Sequence, residues 1–168
     1  IVSDQAEENR KIYSPHSGQY IELPRLVDKL HAIGFSVRFS VTLFEGGVDN
    51  AQKASRMIDF SKGLAVEQLT LRKVAKPSAS ESPEIGLWTQ SHLLTDASLQ
   101  QIRHYLDTNG HQIQQTGHGA VIYDVAGQNV CLTNALTLDI DPEKIRQIIF
   151  FPNGRVRFDW QYQGANIL

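Results

Sequence analysis

Two stretches of this chain alternate with the period of a β-strand while keeping one face polar, and a helical stretch separates them. In residues 37–44 the odd positions Val37, Phe39, Val41 and Leu43 are apolar, whereas Arg38, Ser40 and Thr42 are polar. In residues 66–74 Leu69 and Leu71 fall on one face, with Gln68, Thr70 and Arg72 on the other. Between them, residues 50–62 carry Ala51, Ala54, Met57, Ile58 and Phe60 near one side of a helix that Gly63 ends. A crossover of that length predicts parallel strands in a right-handed βαβ unit.

The same pattern extends towards the start. Residues 1–3 read as a strand end, and residues 22–33 place Leu23, Leu26, Val27, Leu30 and Ile33 at helical spacing before Gly34. Strands of a doubly wound sheet are buried on both faces and should be apolar on both. Two arrangements fit the half-polar pattern. In a barrel, or part of one, the apolar faces meet outer helices and the polar faces line a lumen. In an ordinary αβ sheet, the polar face is solvated. The first is the expectation: an α/β fold with three parallel βα units of a partial TIM-like barrel, followed by an antiparallel β extension. Ligands in either arrangement are expected beyond the carboxyl ends of the strands, where Gly46 and Gly47 lie.

Three segments follow from this reading: residues 1–77 as the barrel part, 78–94 as a loop or linker, and 95–168 as a helix with antiparallel hairpins. KPSASESPE at 76–84 is polar and bounded by prolines. Thr95 and Asp96 can cap a helix over residues 97–108, with Leu99, Ile102, Tyr105 and Leu106 on one side and Asn109-Gly110 at its end. Beyond it, Ala-Gly-Gln at 126–128 and Pro-Asn-Gly at 152–154 each separate two strand-like runs.

Composition narrows the partners. With 16 Lys and Arg against 18 Asp and Glu, the net charge of −2 offers no basic stripe for a phosphate backbone, so no nucleic-acid partner is expected. No apolar run reaches the ~18 residues of a membrane span, and no membrane partner is expected; the chain is assigned to the cytoplasm. Its one cysteine, Cys131, excludes an intramolecular disulfide framework and any metal site built from several of its own thiolates. The opening IVSD reads as the second half of a buried strand, so the chain is expected to be a piece of something longer.

The SD after the first strand, HAIGFSVRFSVTLFEGGVDN, the helix with IDFSKG, and VEQLTLRKVAKP together resemble the second half of the partial αβ barrel of radical S-adenosylmethionine (SAM) enzymes, over residues 1–77. The resemblance implies a protein whose four-iron four-sulfur cluster, held by CxxxCxxC, passes an electron to SAM and generates a 5′-deoxyadenosyl radical that takes hydrogen from substrate. This chain has no such motif. Either the cluster-bearing half has been removed, which is the reading adopted, or the chain is a degenerate relative. SAM and the cluster belong to the intact protein, and neither is expected to be retained by this chain alone.

Carried over by position, the resemblance implies that Ser3 and Asp4 meet the SAM ribose. It assigns Arg38, Ser40 and Thr42 to the lumen, and Phe44, Gly46 and Gly47 to the adenine end, although LFEGGVDN does not spell the family's GxIxGxxE. Thr70, Arg72 and Val74 are implied to face adenine, substrate or SAM, with Arg72 suited to a bidentate carboxylate contact. The substrate, a small molecule or a peptide, is not specified, and no catalytic residue is assigned.

The other candidates have plainer explanations. Cys131 reads as a buried strand thiol, His118 as a turn histidine, and His31 and His104 as boundary residues without partners at ligand spacing. Residues 7–11 read as a solvated helix start. Asp139 and Asp141 lack the glycine turn of a calcium loop and are read as helix caps. Phe150, Phe151, Trp160 and Tyr162 read as cross-strand packing. They also supply the alternative function, a non-catalytic αβ binding or interaction domain that uses its aromatic hairpin. Self-association through an uncovered barrel edge at residues 1–3 is a further expectation.

Overall fold

The computed structural model describes residues 1–16, 20–75, 82–117, 119–133 and 148–157. The half-polar stretches are strands β1 (Arg38–Leu43) and β2 (Gln68–Lys73), joined by helix α3 (Ala51–Gly63). They pair in parallel, with Arg38 opposite Gln68 and Thr42 opposite Arg72. Asn50 caps α3 by accepting from the Lys53 N–H at 3.0 Å, which satisfies one of the donors that a helix start leaves open.

Residues 1–3 lie along the other side of β1. The Ile1 amino nitrogen donates to the Ser40 carbonyl at 2.8 Å, and the Thr42 N–H donates back to the Ile1 carbonyl at 3.3 Å. That offset is the pattern of a parallel pair. Helices α1 (Ala6–Tyr13) and α2 (Leu23–Ala32) bridge this segment to β1. Asn9 of α1, fully buried, accepts from the Val2 and Ser3 N–H groups and donates to the Ser3 and Gln5 carbonyls.

After β2 the chain forms α4 (Pro83–Ser91), α5 (Asp96–Asn109), β3 (His111–Gln115), β4 (Val121–Val125) and β5 (Gln128–Thr133). Strands β3, β4 and β5 pair antiparallel with one another, as expected of an extension. Strand β5 then pairs parallel with β2, Thr70 opposite Cys131, so that all five strands form one mixed sheet in the order β1-β2-β5-β4-β3. The extension therefore widens the same sheet. The β4–β5 turn has positive φ at both Ala126 (51°) and Gly127 (90°), the twist that suits a two-residue hairpin. A separate hairpin, β6 (Ile149–Phe150) and β7 (Val156–Arg157), turns through Pro152 to Gly154.

One face of the sheet carries the core. Val41, Leu43, Leu69, Leu71 and Val130 are 0% exposed, and they join Met57 and Ile58 of α3, Ile102 and Leu106 of α5, and Val27 of α2 in a single apolar cluster. Each such side chain contributes about 1.5–3 kcal/mol when fully buried. Two segments differ from the sequence expectation. Helix α4 stands inside the stretch read as a loop, capped by Ser82 and begun by Pro83, and β3 is a strand of wholly exposed residues that no apolar period marks.

Candidate functional site

Because β1, β2 and β5 are parallel and in register, their non-core residues line up across the strands. One row joins Arg38 and Gln68, continued to Asn129 by a 2.9 Å bond from Gln68 Nε2 to Asn129 Oδ1. The next joins Ser40, Thr70 and Cys131, and a third joins Thr42, Arg72 and Thr133. Arg38 and Ser40 are exposed; Thr42, Arg72 and Cys131 are half-buried; Thr70 and Thr133 are buried. The lumen residues expected from sequence thus share one face.

Cys131 corrects one expectation. It is a strand thiol, but a half-buried one on the polar face, level with Ser40 and Thr70. Burial raises its pKa above the ordinary thiol value, while the Arg38 and Arg72 guanidinium groups act in the opposite direction. The thiol is therefore held protonated at neutral pH despite two cations nearby. Arg72 Nε is buried with no hydrogen-bond partner.

The residues at the carboxyl ends of the strands are already engaged. Ser3 Oγ donates to Asp4 Oδ1 at 3.3 Å and accepts from the Gln5 N–H at 3.1 Å. Asp4 pairs with Arg56 of α3 at 2.6 Å. Burial pushes the Asp4 carboxyl up, but the bonds from Arg56 and Gln5 and the guanidinium charge outweigh it, and its pKa falls below the usual range.

Gly46, at φ 90°, turns the chain after β1, with its N–H donating to Asp49 Oδ2 at 2.9 Å. A Cβ on Gly47 would stand 2.4 Å from the ring of Phe44. The turn requires the first glycine by its backbone, and the Phe44 ring packed against the second leaves no space for a side chain there. Asp49 also binds Lys53 at 2.9 Å. Val74 extends the β1–β2 ladder by donating to the Leu43 carbonyl at 2.9 Å.

Beside this turn Phe44 packs with two rings that the sequence missed, Trp88 and His92, which stack at 4.1 Å between ring centroids, and the Glu45 N–H donates to the His92 carbonyl. Trp88 belongs to α4, so a chain segment read as loop gave no reason to place it there.

The remaining candidates separate from this face. His31 Nε2 lies 3.3 Å from Glu67 Oε2, which also accepts from the Val37 N–H at 2.6 Å. The Val37 bond first, and His31 after it, hold the Glu67 carboxyl below its ordinary pKa. His104 is exposed on α5. His118, Asp139, Asp141, Trp160 and Tyr162 lie outside the described residues. Among the described residues, no three His, Cys, Asp or Glu side chains are grouped to hold a metal ion, and no helix is long and apolar enough to cross a membrane.

Comparison with family models, with curated proteins and with solved structures gave no match for the chain.

Proposed function

We propose that this chain is part of a radical SAM iron-sulfur enzyme, contributing part of the SAM and substrate seat and inactive alone. The observation that carries this reading is the in-register polar face of three parallel strands, with Ser40, Thr42, Thr70 and Arg72 side by side. A face of hydroxyls and a guanidinium suits a polar ligand better than a helix. On this reading the sheet is the second half of a partial TIM-like barrel that continues beyond residues 1–3, and its setting is the cytoplasm, where thiols stay reduced.

The chain's own residues do not fit the cluster. Three thiolates are required and the sequence has one cysteine, so no step through a cluster is assigned to it. SAM is better matched. The hydroxyls of Ser40, Thr42 and Thr70 offer donors and acceptors to its polar groups, and Arg72 has a free N–H for a carboxylate. The protein's contribution here is binding and orientation.

The deciding experiment is made on the polypeptide as its gene encodes it. A CxxxCxxC ahead of Ile1, iron and sulfide in the reconstituted protein, and SAM cleavage to 5′-deoxyadenosine would support the reading. A complete unrelated domain in that position would overturn it. Calorimetric titration of the 168-residue chain with SAM should show only weak binding, because the cluster iron that anchors SAM is lacking.

A second reading rests on the β6–β7 hairpin, where Phe150 is 78% exposed and Arg157 sits 4.9 Å from the Phe151 ring centroid. A non-catalytic binding domain would use that aromatic surface. Phe150→Ala would then abolish partner capture.

A further inference from the structure

The polar face has a charge pattern that a seat for SAM does not by itself require. Arg38 stands at one end of β1 and Arg72 four residue levels along, on β2. At about 3.3 Å per residue those levels are about 13 Å apart along the strands. Between them runs the row Ser40, Thr70, Cys131, three small side chains of which Ser40 is exposed, Cys131 half-buried and Thr70 buried. The register places the two arginines two levels to either side of this row, and both guanidinium groups act electrostatically on the Cys131 thiol.

Neither arginine forms an ion pair among the described residues. The nearest acidic position in the same rows, Asp124 on β4, has its Oδ1 committed to the Gly127 N–H at 2.6 Å. Arg72 Nε is buried and without a partner, a condition that costs a charged donor free energy until an acceptor arrives. Planar guanidinium groups match the two oxygens of a carboxylate or a phosphate.

We propose that the substrate held over this face carries a carboxylate or phosphate group, seated on the Ser40–Thr70–Cys131 row between Arg38 and Arg72. This deepens the reading of the face as a ligand seat and rests on it. The two hydroxyls donate to the anion's oxygens from below, and the arginines close on it from the sides. The neutral thiol adds no repulsion.

Cys131 is the chain's one thiol, so its alkylation by iodoacetamide reports occupancy directly. The rate is measured at constant ionic strength, balanced with chloride, against rising inorganic phosphate, succinate or SAM. Phosphate or succinate should slow alkylation at least tenfold at saturation, with the half-effect concentration rising tenfold or more in Arg72→Gln and in Arg38→Gln. Arg72→Lys should fall between, since it keeps the charge and loses the fork.

Absence of protection by both anions, or protection undiminished in both glutamine variants, overturns the proposal. Protection by SAM alone assigns the arginines to the cofactor and overturns it equally. Should Arg72→Gln fail to fold by circular dichroism, exposed Arg38 still provides the test. No cluster is involved in these measurements. Failure of SAM cleavage in the longer protein would therefore remove the enzyme reading and leave the anion site standing, and the converse holds.

Discussion

The two faces of strands β1 and β2 are built from the same twelve residues and serve opposite ends. On the helix side Val41, Leu43, Leu69 and Leu71 have no exposure at all. On the other side, Arg38 and Ser40 are exposed and Arg72 keeps an unpartnered nitrogen. Because side chains alternate, a strand can be fully committed to packing at every second position while the positions between remain free to meet a ligand. The stability of this fold should thus reside almost wholly on one side of one sheet.

The largest expected contrast follows directly. Leu71→Ala should destabilise the protein by about 2–5 kcal/mol through lost transfer energy and a cavity, read from denaturant unfolding. A loss below about 1 kcal/mol would mean that the helix face is not the core described.

Tyr123→Phe, on the same face, should come next. Tyr123 is 2% exposed, and its hydroxyl donates to Asp107 Oδ1 at 2.7 Å, a bond to a charged acceptor that contributes about 1.5–3 kcal/mol. Burial, followed by the Asp107 bond and its charge, pushes the phenol up to about 12. Its folded pKa lies above the unfolded value of about 10. This stabilisation is therefore complete below about pH 10 and lost as pH rises through about 12. The phenylalanine variant should flatten the loss of stability across that window, and an unchanged alkaline profile would contradict the assignment.

At the edge of the sheet, Asn9→Ala leaves the buried Val2 N–H and the half-buried backbone groups of Ser3 without this partner, a cost of about 1–3 kcal/mol. Accelerated hydrogen exchange at the Val2 amide would be its local sign. The smallest effect belongs to the polar face. Ser40→Ala should change stability by no more than about 0.5 kcal/mol, and a larger loss would mean that the face carries structural weight and the contrast between the two sides fails.

What could be read from sequence was whatever has a local period or a local cap. The alternation at 37–44 and 66–74 located β1 and β2, apolar spacing located α2, α3 and α5, and Thr95 marked a helix start that the structure bears out. Strand β3 was invisible because HQIQQ carries one apolar residue and all five of its residues are exposed. Helix α4 was hidden by the serines and prolines before it and by Gly86 within it, which lower helix propensity.

The pairing of β5 with β2 was out of reach for a different reason. It joins residues about sixty positions apart, and nothing in a strand's own period names its neighbour. For the same reason Arg38, Ser40, Thr42, Thr70 and Arg72 could be assigned to one face from sequence, whereas Cys131 could not. Its place beside Thr70 depends on that pairing alone.

Asn9 has a consequence for how this sheet could grow. Ile1 directs its own amide and carbonyl towards β1, so the Val2 N–H points to the outer side, where the Asn9 carboxamide already occupies it. An incoming strand, from this polypeptide or another, would have to displace that side chain before pairing at Val2. Addition at this edge is therefore an exchange reaction with its own barrier, slower and more temperature-dependent than docking on an unfilled edge.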